Sequence, residues 1–317
     1  MRHTKPLFPI LILLSTFLFW VAAAAAYSQS DRTATELNKA GLHDFAQGNY
    51  DMAVEQFSLA IARGSNPYLK HPIQSGGLGP VHDNETQDVV VLTQDIAVFY
   101  LNRGKAYAAQ GKADPAFDDF DHAILIWPSL AEAYSCRGLL WLAKSDHDKA
   151  FADLDKAVKL DPKLAYAHVS RAYARSYVGD QKGALEDING AIALTHKDLY
   201  AFYLRGEIYR RTGKMDEAIA DFDYVIRMDP NSVSAYCGRG RVRFGQGDLD
   251  AALEDFNTAI RIDSNYAPGY ADRGMVFFVR GRKAEAKRDF DHAISLSPVI
   301  AAEIDACLKA NHTSRAN

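Results

Sequence analysis

Small and large apolar positions recur along this chain at one fixed interval. Gly104, Gly138, Ala172, Gly206, Gly240 and Gly274 follow one another every 34 residues. The same interval separates Ala116, Ala150, Ala184, Ala218, Ala252 and Ala286, and again Phe120, Leu154, Ile188, Phe222, Phe256 and Phe290. Within one unit, Tyr100, Gly104 and Tyr107 fall at i, i+4 and i+7, and Ala116, Phe120, Ala123 and Ile124 form a second stripe of helical period. Gly111 lies between the stripes, so the pattern predicts two helices joined by a tight turn. Pro128, Pro162, Pro230 and Pro298 close four of the units, where the chain lacks the next backbone donor and a helix stops. Neither helix of a pair buries its stripe alone, so stacking of neighbouring pairs must complete the core.

Six consecutive units share this register: 97–130, 131–164, 165–198, 199–232, 233–266 and 267–300. An outlying unit at 34–67 keeps Gly41, Gly48, Ala53, Phe57 and Ala60, with Asp44 at the usual aromatic position. The weakest internal unit is 165–198, where Ala172, Arg175 and His196 replace glycine, aromatic and proline. Residues 68–96 break the period as an insertion. Pro72, Pro80 and a glycine cluster read as a loop over Tyr68 to Asp88, either functional or disordered at that length. The run Val89 to Leu92 either lengthens the next helix or makes a short strand. Beyond Pro298, Ile300, Ile304 and Leu308 line one face of a capping helix that, with its tail, occupies 301–317.

The units resemble tetratricopeptide repeats, carrying the aromatic-x-x-x-Gly-x-x-aromatic, Ala-x-x-x-Phe and terminal Pro pattern of that family. The resemblance implies an all-α, right-handed superhelical solenoid of antiparallel helix pairs with a concave groove that holds a protein or peptide partner. It implies no enzymatic activity and no cofactor. Some members of the family clamp a carboxylate with basic residues on successive inner faces. Leu101, Lys105, Leu139, Tyr166 and Tyr173 occupy the matching wall here, which leaves only one basic group.

The first thirty residues have a separate logic. Arg2 and Lys5 precede an apolar run from Leu7 to Val21, then Ala22 to Ala26 and polar Ser28, Gln29 and Ser30. Residues 1–26 read as a secretory signal peptide with cleavage before Tyr27, and the competing reading is an uncleaved membrane anchor over 7–26. Both export the remainder, most simply to a bacterial periplasm. Composition is that of a globular chain, 48% hydrophobic and 24% charged, and a net charge of -4 argues against a dedicated nucleic-acid binder. Cys136, Cys237 and Cys307 are too widely spaced for a zinc site or redox pair and read as small buried residues.

Two constellations carry candidate roles. Arg103, Arg137, Arg171, Arg205, Arg239 and Arg273 share one phase on the first helices, and Asp119, Asp153, Asp187, Asp221, Asp255 and Asp289 share another on the second. A structural ladder of bidentate arginine–carboxylate bonds follows. On the implied groove wall, Tyr166, Tyr173, Tyr177, Tyr200, Tyr203, Arg210, Arg211, Arg241, Phe244 and Phe278 are the candidate partner-binding residues, because tyrosine and arginine anchor interfaces most often. An acidic or aromatic peptide reaching Arg210, Arg211 and Arg241 suits that wall. The ten histidines lack metal-ligand spacing, and no H-E-x-x-H, G-x-S-x-G or G-x-x-x-x-G-K-[ST] occurs. The chain therefore reads as a scaffold. The alternative is an accessory subunit or membrane-tethered assembly factor whose loop 68–88 completes a partner's site.

Overall fold

The computed structural model describes residues 32–64 and 83–314. The leader at 1–26 and the loop at 68–82 lie outside these residues. Those described form fifteen α-helices and one 3-10 turn, with no strand. By internal contacts the chain divides into two compact units, Met1–Asp153 and Leu154–Asn317.

In the first unit, α1 (Ala34–Ala46) and α2 (Tyr50–Gly64) pair, followed by α3 (Asp83–Ala109), α4 (Ala113–Ile126), α5 (Ala131–Ala143) and the start of α6 (His147–Leu160). A capping box opens α1: the Thr33 hydroxyl accepts from the Glu36 amide while the Glu36 carboxylate accepts from the Thr33 amide. The segment 83–96, assigned to the insertion by its broken period, is the first half of α3, and the run Val89 to Leu92 lengthens that helix, the first of the two readings given for it, and makes no strand. No proline or glycine interrupts residues 81–103, so nothing stops the helix of the first regular repeat from continuing backwards. The outlying pair stacks on α3: Ala53, Phe57 and Ala106 form one buried cluster, and Leu37, Ala60, Ile61 and Phe99 another.

The second unit contains α7 (Ala165–Tyr177), α8 (Gln181–Leu194), α9 (Leu199–Arg211), α10 (Met215–Met228), α11 (Val233–Gly245), α12 (Leu249–Ile262), α13 (Ala267–Val279) and α14 (Lys283–Leu296). A 3-10 turn at Pro298–Ile300 leads to α15 (Ala301–Ser314). Ile300 and Ile304 are buried against Ala271 and Phe290, and Leu308 packs on the same cluster. Cys136 and Cys237 are buried as expected, but Cys307 is exposed, since it lies off the Ile304 and Leu308 face of α15. No described helix is long and apolar enough to cross a membrane.

Two features of the repeat fix how each pair closes. The first is the turn. Gly111 donates to the Ala108 carbonyl and Lys112 to that of Tyr107, the double bond of a helix end whose outer residue is left-handed. Gly48, Gly111, Gly179, Gly213, Gly247 and Gly281 take positive φ at this place, and Ser145 takes it in the one unit without glycine, at φ 60°. The second is the facing of small on large. A Cβ on Gly104 would lie 2.6 Å from the Phe120 ring, and one on Gly206 would lie 2.9 Å from the Phe222 ring, inside any real carbon contact. Where the large residue is the narrower Ile188, alanine is accommodated at Ala172, and both are fully buried in one cluster.

Candidate functional site

The arginines and aspartates brought into phase by the repeat meet in all six units. Arg205 is representative: its Nε donates to Asp221 Oδ2 at 2.8 Å and its Nη2 to Oδ1 at 2.7 Å. The same two bonds join Arg103 to Asp119, Arg137 to Asp153, Arg171 to Asp187, Arg239 to Asp255 and Arg273 to Asp289, all between 2.6 and 3.1 Å. The aspartates are buried. Hydrogen bonding to its carboxylate raises Arg205 above the ordinary guanidinium range, so it stays charged.

Each arginine also reaches backwards. Nη1 donates to Asp121 from Arg137, to Asp155 from Arg171, to Asn189 from Arg205, to Asp223 from Arg239 and to Asn257 from Arg273, at 2.5 to 3.0 Å. Arg103 uses Ser58 of the outlying pair at 3.1 Å. One side chain therefore ties together both helices of its pair and the helix before it. Phase in the sequence does not single out this second acceptor, although it too repeats at the interval of 34. Aromatic rings flank several guanidinium groups: Phe202 and Tyr209 lie 5.3 and 5.7 Å from Arg205 Cζ. In two units the second ring is replaced by another cation. Arg175 contacts Asp187 and Arg243 contacts Asp255, each at 2.9 Å, which explains the arginine in the least regular repeat.

The candidate partner-binding residues divide into three groups. Tyr166, Tyr173, Tyr177 and Tyr200 on α7 and α9 are 39%, 41%, 58% and 51% exposed. Asp198 caps α9, its carboxylate accepting from the amides of Tyr200 and Ala201, which fixes the start of the helix. Tyr203, Phe244 and Phe278 are instead part of the packing. Tyr203 meets the core ring of Phe222 at 5.9 Å, Phe244 packs on the Cys237 and Phe256 cluster, and Phe278 packs on the cluster of Phe290 and Ile300. They follow the stripe that buries one helix against the next, so they offer little open wall.

The arginines form the third group, and two of the three are already paired within the chain. Arg210 Nη2 donates to Glu207 at 2.9 Å and Arg241 Nε to Asp272 at 2.9 Å, so both already hold carboxylates of this chain. Arg211 Nη1 lies 3.4 Å from the Ser176 carbonyl. Neither Glu207 nor Asp272 belongs to the ladder, and both are drawn from the wall side of the first helices. Burial pushes the Asp272 carboxyl up to about 6 against the pull of Arg241. Burial likewise pushes the Cys237 thiol up to about 12, leaving it neutral. The cleft beside Arg241 and Asp272, closed by Ile304 of α15, is only about 60 Å³, room for a water or two.

Paired helices stacked through a shared arginine ladder define a helical-repeat protein. The sequence profile of the tetratricopeptide repeat matches residues 170–233 and 203–267. Among solved structures, the chain is similar to a tetratricopeptide repeat protein from Parabacteroides merdae, at 19% identity over 86% of this chain and 97% of that one, with a TM-score of 0.60. It is similar to yeast Tom70 at 18% identity over 84% of this chain and 54% of that one, with a TM-score of 0.60. A chain of the APC/C hetero-tetramer Cut9–Hcn1 is similar at 15% identity over 80% of this chain and 52% of that one, with a TM-score of 0.58. Comparison with curated proteins gives no match. The fold is the tetratricopeptide-repeat fold, and residues 170–267 carry the repeat of that family.

Proposed function

We propose that the protein is a non-enzymatic interaction scaffold that holds a peptide or protein surface against the first-helix face of α7 and α9. The observation that carries this reading is the group of exposed tyrosines, Tyr166, Tyr173, Tyr177 and Tyr200, on two successive first helices. Each ring leaves a large part of its area in water, and amphipathic aromatics grouped in this way anchor interfaces. The likeness to a chain of the Cut9–Hcn1 assembly supports a fold able to hold another protein. Export under the direction of residues 1–26 completes the proposal and rests on their order of positive, apolar and small residues.

Affinity capture with the double variant Tyr173→Ala/Tyr200→Ala tests the binding face, with Leu125→Ser on an exposed position of the other unit as control. Partners retained by wild type and control should be weakened on the order of 30-fold or more by the double variant, the loss expected of interface anchors. Full retention of every partner by the double variant overturns the reading. For export, N-terminal sequencing of the native protein should begin near Tyr27, or at Met1 in the membrane fraction if the segment is an anchor. An intact Met1 in the cytosolic fraction rules export out.

A further inference from the structure

We infer that the pair α1 and α2 carries a receptor site for the guanidinium group of an arginine on another chain, at the place where each of the six regular units supplies an arginine of its own. The site lies in the first unit and stands independently of the tyrosine face.

The outlying pair closes as the regular pairs do. A Cβ on Gly41 would lie 2.5 Å from the Phe57 ring, as one on Gly104 would lie 2.6 Å from that of Phe120. Ser58 accepts from Arg103 Nη1 at 3.1 Å, in the place that Asp121 takes for Arg137. These contacts align the pair with unit 97–130: Ala40 with Arg103, Asp44 with Tyr107 and Gln56 with Asp119. Of the seven units, this one lacks the ladder arginine, and its carboxylate has become a carboxamide.

Two acceptors are left without a donor. Gln56 is 5% exposed, and its Oε1 accepts no hydrogen bond. A buried polar atom in this state is rare and costs free energy that a donor would return. The half-buried Asp44 is the second, with no hydrogen bond or ion pair from its carboxylate among the described residues. It follows Ala40 by one helical turn, on the same face. From that position Tyr107 covers the Arg103 guanidinium at 5.9 Å and Arg243 reaches Asp255 at 2.9 Å. An amide oxygen and a carboxylate thus border the place left by the short Ala40 side chain.

Charge decides what enters. Asp44 is a negative charge without a partner, while Arg103, which reaches Ser58, is already held by both oxygens of Asp119. Arg63 is turned to the Arg32 carbonyl, and Lys39 and His43 are exposed on α1, so these cations of the pair do not take the arginine's place. The site therefore favours a cation from outside. A guanidinium is a flat fork of N–H donors able to reach two separate acceptors and is weakly hydrated, whereas an ammonium is a compact, strongly hydrated charge. Gln56 also explains how the site can stand empty. An aspartate there with no arginine would be a buried, unpaired charge, and the carboxamide avoids it.

The test is hydrogen exchange of the full chain, followed in α1 and α2 during titration with a blocked glycine–arginine–glycine tripeptide, and with the same tripeptide carrying citrulline or lysine in place of arginine. The arginine peptide should slow exchange there saturably, by about threefold or more, and leave α11 and α12 unchanged. Citrulline keeps the shape and lacks the charge, so its half-saturating concentration should be higher by about tenfold or more, with lysine in between. Asp44→Asn should weaken the arginine peptide by about tenfold. Ala40→Arg should slow exchange with no peptide present and abolish the response, since the chain then fills the site itself. Absence of saturable slowing, or citrulline matching arginine, overturns the inference. The wild-type chain decides both, so neither depends on a variant keeping its fold. Tighter binding of free arginine than of the blocked tripeptide would mean a small-molecule site and overturns the partner chain as the source.

Discussion

At the scale of single residues, the repeat makes its own exceptions visible. Six of the seven left-handed turn positions are glycine, and Ser145 alone holds φ 60° with a side chain present. An L residue there costs roughly 1 to 2 kcal/mol, of which glycine gives back part through its greater freedom in the unfolded chain. Ser145→Gly should therefore stabilise the protein by about 0.5 to 1 kcal/mol, read as a melting temperature higher by roughly 1 to 4 °C. An unchanged or lower melting temperature would show that Ser145 gains something locally that offsets its backbone. The turn itself was legible as a break between two stripes, but its handedness was not. The interval of 34 aligns Gly111, Ser145 and Gly179, and the backbone shows that all three take positive φ.

At the scale of helix pairs, the most informative side chain is the ladder arginine, because it counts neighbours as well as partners. Arg205 satisfies the buried Asp221 with two bonds and spends its third nitrogen on Asn189 of the preceding helix pair. Arg205→Ala leaves the Asp221 carboxylate buried and unpaired and should cost about 3 to 5 kcal/mol. Asn189→Ala removes only an exposed contact and should cost about 1 kcal/mol or less. Denaturant melts of the two variants decide the matter, and equal losses would mean that the pairing within the unit is no stronger than the link between units. The arginine–aspartate pairs could be read from phase alone, since both residue types recur with the period. What phase could not give is the choice between aromatic and cation at the position four residues on, where Tyr209 covers the guanidinium but Arg243 joins the carboxylate. In both, the repeat arginine keeps its two bonds to the buried aspartate, so the sequence varies while the geometry is kept. The helix that begins at Asp83 is hard to foresee for the opposite reason. It has no repeat phase, so the apolar run Val89 to Leu92 left helix and strand both open, and the lack of a breaker before Gly104 is what favours the helix.

At the scale of the whole molecule, periodicity made the fold legible while the candidate binding face was only half so. The period names which positions face inward between helices, and hence the cores around Phe120, Ile188, Phe222, Phe256 and Phe290. It does not say which wall positions are already satisfied by a residue one repeat away, and so Arg241 reads as available when it is not. Its partner Asp272 also shapes the response of global stability to pH. Burial raises the Asp272 carboxyl to about 6 from an ordinary 3.8, with Arg241 and Arg210 pulling it down and Glu207 pushing it up. Between these two values the folded protein holds a proton that the unfolded chain has released. This group therefore contributes stability that is fully present below about pH 3.8 and is lost as pH rises through about 6. The contribution is of order 1 to 3 kcal/mol, since a tenfold change in proton affinity corresponds to about 1.4 kcal/mol. Most carboxylates here act in the other sense, so the net curve is the difference of the two, and a substitution is needed to isolate one. Asp272→Asn keeps the shape and removes the titration. Its stability relative to wild type should rise as pH increases from 4 to 6.5, by roughly that same 1 to 3 kcal/mol, whatever constant penalty the loss of a charged partner for Arg241 imposes. Thermal melts of both proteins at half-unit steps of pH measure the difference directly. Parallel curves would mean that Arg241 holds Asp272 ionised across the whole range, and that the pair on the wall is a fixed ion pair and not a titrating one.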